Sequence, residues 1–176
     1  MRIEGETMAK KHMDQRLRWM KEHVDGAYNA VHPPSHKHAG KHCVNSGTCI
    51  LVFCYMEALG KVLKKGSGSC SSRFHEFLNS CMPDLVAESK GIGMANPGKL
   101  LYGEFRSGFV HGYPKSQYAW ARSGPAGKYW FNDKKGRLVL NIDELVAGFK
   151  RGLNQFKYCA AADSDLQDNF IGHITK

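Results

Sequence analysis

The run CILVFCYMEALGKVL, residues 49–63, constrains this chain more than any other stretch. Apolar side chains fill almost every position, so no rotation about a helix axis gives the run a wet face. It reads as the buried central helix of a bundle, spanning about Ser46 to Lys65, with Asn45 or Ser46 as its cap. Glu57 interrupts it. A carboxylate there either pairs with a cation from a neighbouring helix, Arg106 being the best motivated, or reaches the solvent edge. Neither this run nor any other approaches the ~18–20 consecutive apolar residues of a membrane span, so no membrane partner is expected.

A buried helix needs others around it. From Ala9 to Val31, Met13, Leu17, Met20, Val24 and Ala27 form a helical stripe, which Trp19 and Val31 would widen. Basic residues load the early part of that helix, as a solvated face or, more sharply, an RNA-facing one. After the GSGS turn, Ser72 is a plausible cap for a short helix with Phe74, Phe77, Leu78 and Cys81 inward, and Pro83 starts a further turn carrying Leu85 and Val86. Residues 114–128, with Tyr118, Trp120 and Arg122, read as a loop. Its aromatics either stack bases or pack onto the bundle. Tyr129–Phe131 and Arg137–Leu140 flank NDKKG, a hairpin signal. Asn141 then caps a last long helix with Ile142, Leu145, Val146, Phe149, Leu153 and Phe156 at helical spacing.

The chemistry concentrates in LYGEFRSGFVHGY, Leu101 to Tyr113. Leu101, Phe105 and Phe109 recur every four residues, which predicts an amphipathic α-helix with one face in the core. On an α-helix Arg106 and His111 fall about 140° apart, flanking one edge. A permanent cation beside a group titrating near neutrality suits work on a phosphate: guanidinium holds the anion, imidazole moves the proton. The same residues also suit a plain solvated face, with Gly112 and Pro114 ending the helix.

Arg106, the four residues SGFV, His111, Gly112 and Tyr113 resemble the Arg-x4-His signature of HEPN domains, in the extended form ending His-x-Tyr. That form is similar to the toxins of HEPN–nucleotidyltransferase toxin–antitoxin pairs. The resemblance implies a helical bundle, commonly a homodimer, acting as a metal-independent ribonuclease without a cofactor. Arg106 and His111 would be the catalytic pair, lining a cleft shared by two protomers. Tyr113 would match the tyrosine that a partner nucleotidyltransferase modifies with AMP. Ser107 stands where family members often carry Asn, Asp or His. Ser107, Tyr113, Glu57 and Tyr102 are the expected supporting residues.

The net charge of +9 over 176 residues favours acidic partners, RNA or a nucleotide first. His32, His36, His38, His42 and Cys43 offer zinc-binding atoms, but their spacing matches no standard finger and prolines interrupt the loop, so no metal is expected. The six cysteines contain no CxxC pair, and the N-terminus, MRIEGETMAKKH, has no apolar leader. Reduced, mostly buried thiols in a cytoplasmic protein follow. The expectation is one all-α domain over 1–176: about five helices, a small β-hairpin before the last, and flexible ends at 1–8 and 163–176. Its function would be RNA cleavage through 2′-hydroxyl attack to a 2′,3′-cyclic phosphate. The alternative is a catalytically silent module binding RNA, nucleotide or a protein partner.

Overall fold

A computed structural model describes residues 2–30, 44–107, 118–122 and 124–174. In chain order, α1 spans Arg2–Ala30, α2 Val44–Leu63, α3 Cys70–Cys81, α4 Pro83–Gly91 and α5 Pro97–Leu100, which runs on into a wider turn over Leu101–Arg106. Strands β1 (Tyr118–Ala121), β2 (Trp130–Asn132) and β3 (Leu138–Asn141) follow, then α6 (Ile142–Ala162) and α7 (Ser164–Ile174). The protein is predominantly α-helical, with seven α-helices among the described residues where about five were expected. The His32–Cys43 loop lies outside the described residues.

The apolar run is the hub, as its composition demands. Val52, Phe53, Met56, Leu59 and Val62 of α2 are fully buried, and α2 packs against α1, α3, α6 and α7. It is already helical at Val44, so Asn45 and Ser46 lie in its first turn and not at a cap. Its stretch Ser46–Leu63 is long and apolar enough, by length and composition, to cross a bilayer, although Glu57 and Lys61 interrupt it and its core residues are buried in the bundle. Met13, Leu17, Met20 and Val24 of α1 turn inward as their spacing predicts, but Trp19 is 40% exposed and carries the Arg16 guanidinium 4.8 Å above its ring.

Backbone meets backbone where α2 crosses α3. A Cβ on Gly60 would lie 1.8 Å from the Arg73 carbonyl oxygen and 2.5 Å from its carbon, so only glycine fits. Ser69 caps α3, its hydroxyl accepting from the Ser72 amide at 3.2 Å. Pro83 opens α4 and Asn96 caps α5 by accepting from Lys99 N.

Within the stretch from 163 that was expected to be a flexible end, Ser164–Ile174 is α-helical. The Asp163 carboxylate accepts from the Leu166 amide at 3.2 Å and starts α7. Leu166 and Phe170 are buried against the bundle. Burying two such side chains contributes roughly 1.5–3 kcal/mol each, which offsets part of the entropy of ordering the segment.

The hairpin forms as its turn residues predict: Trp130 faces Leu140 and Asn132 faces Leu138 in antiparallel register. Asp133 Oδ1 accepts from the amides of Lys135 and Arg137, and Gly136 takes φ +73°. Tyr118–Ala121, in a stretch expected to be a loop, forms a third strand. β1 runs parallel to β3, Tyr118 opposite Leu138, giving the order β1-β3-β2. The architecture is therefore helices plus a mixed three-stranded sheet, not helices plus a hairpin.

Carboxylates on α4 fasten this sheet to the bundle. Glu88 accepts from the amides of Trp130 (3.0 Å) and Tyr129 (3.2 Å), and the Trp130 indole donates to Ser89 Oγ at 2.8 Å. Asp84 accepts from the Tyr129 hydroxyl at 2.8 Å and from Arg151 at 3.1 Å. Partial burial pushes the Asp84 carboxyl up, but the bonds from Tyr129, Arg151 and Leu85 N outweigh it and leave its pKa below the ordinary value. A depressed carboxyl stabilises the fold above the unfolded-state pKa, about 3.9, and that contribution disappears as pH falls through the lower folded value. Asp84→Asn is accordingly expected to lower the urea midpoint at pH 7, with the gap to wild type narrower at pH ~3. Urea titrations at both pH values check this.

Candidate functional site

Phe105 and Arg106 divide the Leu101–Arg106 turn between core and rim. Phe105 is fully buried, its ring 5.5 Å from Trp130 and 5.7 Å from Tyr118, so the sheet braces this segment from behind. Tyr118 thus packs onto the bundle. Arg122 does likewise, bonding to Asp143 at 3.0 Å and lying 3.6 Å over the Tyr28 ring.

The segment is not the α-helix that four-residue spacing predicts. It is a π-helix, continued by the Ser107 amide donating to the Tyr102 carbonyl five residues back. Gly103 sits within it, and glycine weakens an α-helix by roughly 0.5–1 kcal/mol relative to alanine. Leu101 and Phe105 remain buried in the wider turn, while Tyr102 and Arg106 come together, with the guanidinium 5.3 Å over the ring. π-turns inside helices occur frequently at functional sites.

Arg106 reaches across to α2. Its Nη2 donates to Glu57 Oε2 at 3.2 Å, and the two side chains are 23% and 18% exposed. Glu57 therefore pairs with Arg106, the first of the two outcomes its position allowed. The Arg106 guanidinium Nε is buried and has no hydrogen-bond partner among the described residues, and a desolvated donor costs about 1–3 kcal/mol. Burial and the Glu57 carboxylate both push the Tyr102 phenol upward, so it stays protonated. The guanidinium is thus fixed from two sides, by a carboxylate and by an aromatic face.

The pair opens into a shallow cleft of about 190 Å³ lined by Cys54, Glu57, Ala58, Lys61, Arg73 and Arg106. Three cations face one carboxylate there, and low-dielectric walls strengthen their field for an anion. Arg73 is held by the turn between α2 and α3, donating to Ser67 O at 3.2 Å and Gly66 O at 3.1 Å. Lys61 and Arg73 escaped sequence reasoning. Cys54, Glu57, Ala58 and Lys61 do follow helical spacing, the one stripe of α2 that is not core. Arg73 carries no such signal, because only the crossing at Gly60 brings it here.

Of the expected site residues, Arg106, Glu57 and Tyr102 come together, and Ser107 closes the π-turn through its backbone. His111 and Tyr113 lie outside the described residues. No group of histidine, cysteine and carboxylate side chains suited to a metal occurs among the described residues.

The five described cysteines are free, and the expectation that most thiols are buried is corrected: Cys54 and Cys70 are exposed, Cys49 and Cys81 buried. Burial pushes the Cys81 thiol up to about 12 and Cys49 higher still. Iodoacetamide at neutral pH is expected to label Cys54 and Cys70 in the native protein, and Cys49 and Cys81 only after unfolding. Peptide mass spectrometry reads the difference.

Comparison with protein-family models, with curated proteins and with solved structures finds no match. The site therefore stands on its geometry: a clamped guanidinium at the rim of a cationic cleft.

Proposed function

We propose that this protein is a HEPN-like, metal-independent endoribonuclease in which Arg106 holds the scissile phosphate and His111 moves the protons. The observation that carries the reading is the Arg106–Glu57 pair, set at the rim of a cleft that Lys61 and Arg73 also line. A preorganised cation stabilises negative charge developing on phosphate without reorganising during the reaction. Glu57 and Tyr102 act as positioning residues that fix the guanidinium.

In the reaction the ribose 2′-oxygen forms a bond to phosphorus as its proton leaves to a base. The bond from phosphorus to the 5′-oxygen breaks, and that oxygen takes a proton. The products are a 2′,3′-cyclic phosphate and a 5′-hydroxyl. His111 serves as base or acid, for which an imidazole titrating near neutrality is suited. A homodimer would place two copies of Arg106 and His111 along one cleft, and AMP transfer to Tyr113 by a nucleotidyltransferase partner would regulate it.

The test is incubation of RNA with purified protein in EDTA beside His111→Ala. Cleavage by wild type alone, with cyclic phosphate ends, supports the reading; equal degradation by both proteins refutes it. One observation favours a second reading, a module that binds RNA or nucleotide without chemistry. Glu57 already neutralises part of the Arg106 charge, which leaves less of it to stabilise charge that develops during a reaction. In that case Arg106→Ala weakens binding and neither protein cuts.

A further inference from the structure

A second cationic surface lies in the groove between α1 and α6. It measures about 260 Å³, with Leu17 and Leu153 among its lining residues and Arg18, Lys21, Lys150 and Lys157 as its cations. Against those four cations stands a single lining carboxylate, Asp14. Lys157 pairs with Asp14 at 2.9 Å, and Lys150 pairs with Asp25, so these lysines tie α6 to α1. Arg18 and Lys21 are exposed and make no ion pair among the described residues. An adjoining hollow brings in Lys10 and Lys11 beside Asp14 and Arg18, extending the positive surface along α1. Lys10 to Lys21 covers about 16 Å at ~1.5 Å per residue.

We propose that this groove binds the phosphate backbone of single-stranded RNA. Four cations along one helix, Lys10, Lys11, Arg18 and Lys21, are exposed, make no ion pair among the described residues, and form a line of positive charge matching a linear polyanion. The concave shape favours a strand over a bilayer, since a flat lipid surface does not enter a groove between two helices. The net charge of +9 thus acquires a place on the molecule. The groove goes beyond the cleft reading and stands without it, because it requires binding and no chemistry.

Binding of a short fluorescent single-stranded RNA, followed by anisotropy across about 50–200 mM salt, tests it. The double variant Arg18→Gln/Lys21→Gln changes only exposed groups, and circular dichroism confirms its fold. It is expected to bind roughly tenfold more weakly, with the slope of log K against log salt reduced by about 1.4, at ~0.7 per lost phosphate contact. Wild-type affinity and slope in this variant would overturn the groove and leave the Arg106 cleft untouched. If instead the slope falls while wild type cuts nothing in EDTA, the groove holds and the cleavage reading fails alone. Failure of wild type to bind RNA, or equal groove-dependent binding to phosphatidylserine vesicles or polyglutamate, would also overturn the proposal.

Discussion

Arg106→Ala is expected to slow RNA cleavage by about 10²–10³-fold, the usual cost of removing one preorganised donor from a developing oxyanion. The loss should fall on kcat, because the guanidinium acts most strongly on charge that appears in the transition state. Its setting explains the size. Glu57 accepts from one edge of the guanidinium at 3.2 Å and Tyr102 lies beneath it, so the cation waits in place. Arg106→Lys keeps the charge but loses the planar fork, and should recover only part of the rate. Glu57→Gln keeps an acceptor near Nη2, so its effect should be smaller than that of Arg106→Ala. Single-turnover cleavage with the three variants, after urea titrations show them folded, gives the ordering. A wild-type rate for Arg106→Ala would remove Arg106 from the reaction.

Gly60→Ala is the severe stability prediction. The added methyl would sit 1.8 Å from the Arg73 carbonyl oxygen of α3, 2.5 Å from its carbonyl carbon and 3.3 Å from its Cα. No side-chain rotation relieves such a clash, so α2 and α3 must separate where they cross. Overpacking a core costs typically 1–3 kcal/mol, and a backbone collision belongs at or above the upper end. Against a total stability of about 5–15 kcal/mol that is a large share. A loss of at least ~3 kcal/mol corresponds to a fall in Tm of roughly 6–12 °C for a chain of this size. Separation of α2 from α3 also draws Arg73 away from Lys61 and Arg106, so cleavage should weaken even at temperatures where the variant is folded. Thermal melts and rates on the same preparation check both parts.

These two residues mark how far the sequence could be read. The core helices were legible because their apolar residues repeat at helical spacing: every predicted inward position of α6, from Ile142 to Phe156, is buried. Glu57 was legible as a question, since a carboxylate in an apolar run demands a partner, and Arg106 answers it. Strand β1 was not legible. Its four residues YAWA are all half-buried and show no alternation, and its partner β3 is distant in sequence, with β2 between them. The π-turn was hidden for another reason: Leu101 and Phe105 bury equally well four residues apart in either helix type. Helix α7 was missed because two buried side chains, Leu166 and Phe170, anchor an otherwise polar segment. Gly60 gave no warning at all, because the need for glycine arises from α3 and not from its own neighbours in the chain.

The central claim is that RNA is cut by its own 2′-hydroxyl under the hold of Arg106. The most direct measurement compares an RNA oligonucleotide with its fully 2′-O-methylated counterpart, both incubated with wild-type protein in EDTA. The account predicts that the ribose strand is cut to fragments ending in 2′,3′-cyclic phosphate, while the methylated strand is bound and stays whole. Equal cutting of both strands, or no cutting of either by folded protein, would contradict it.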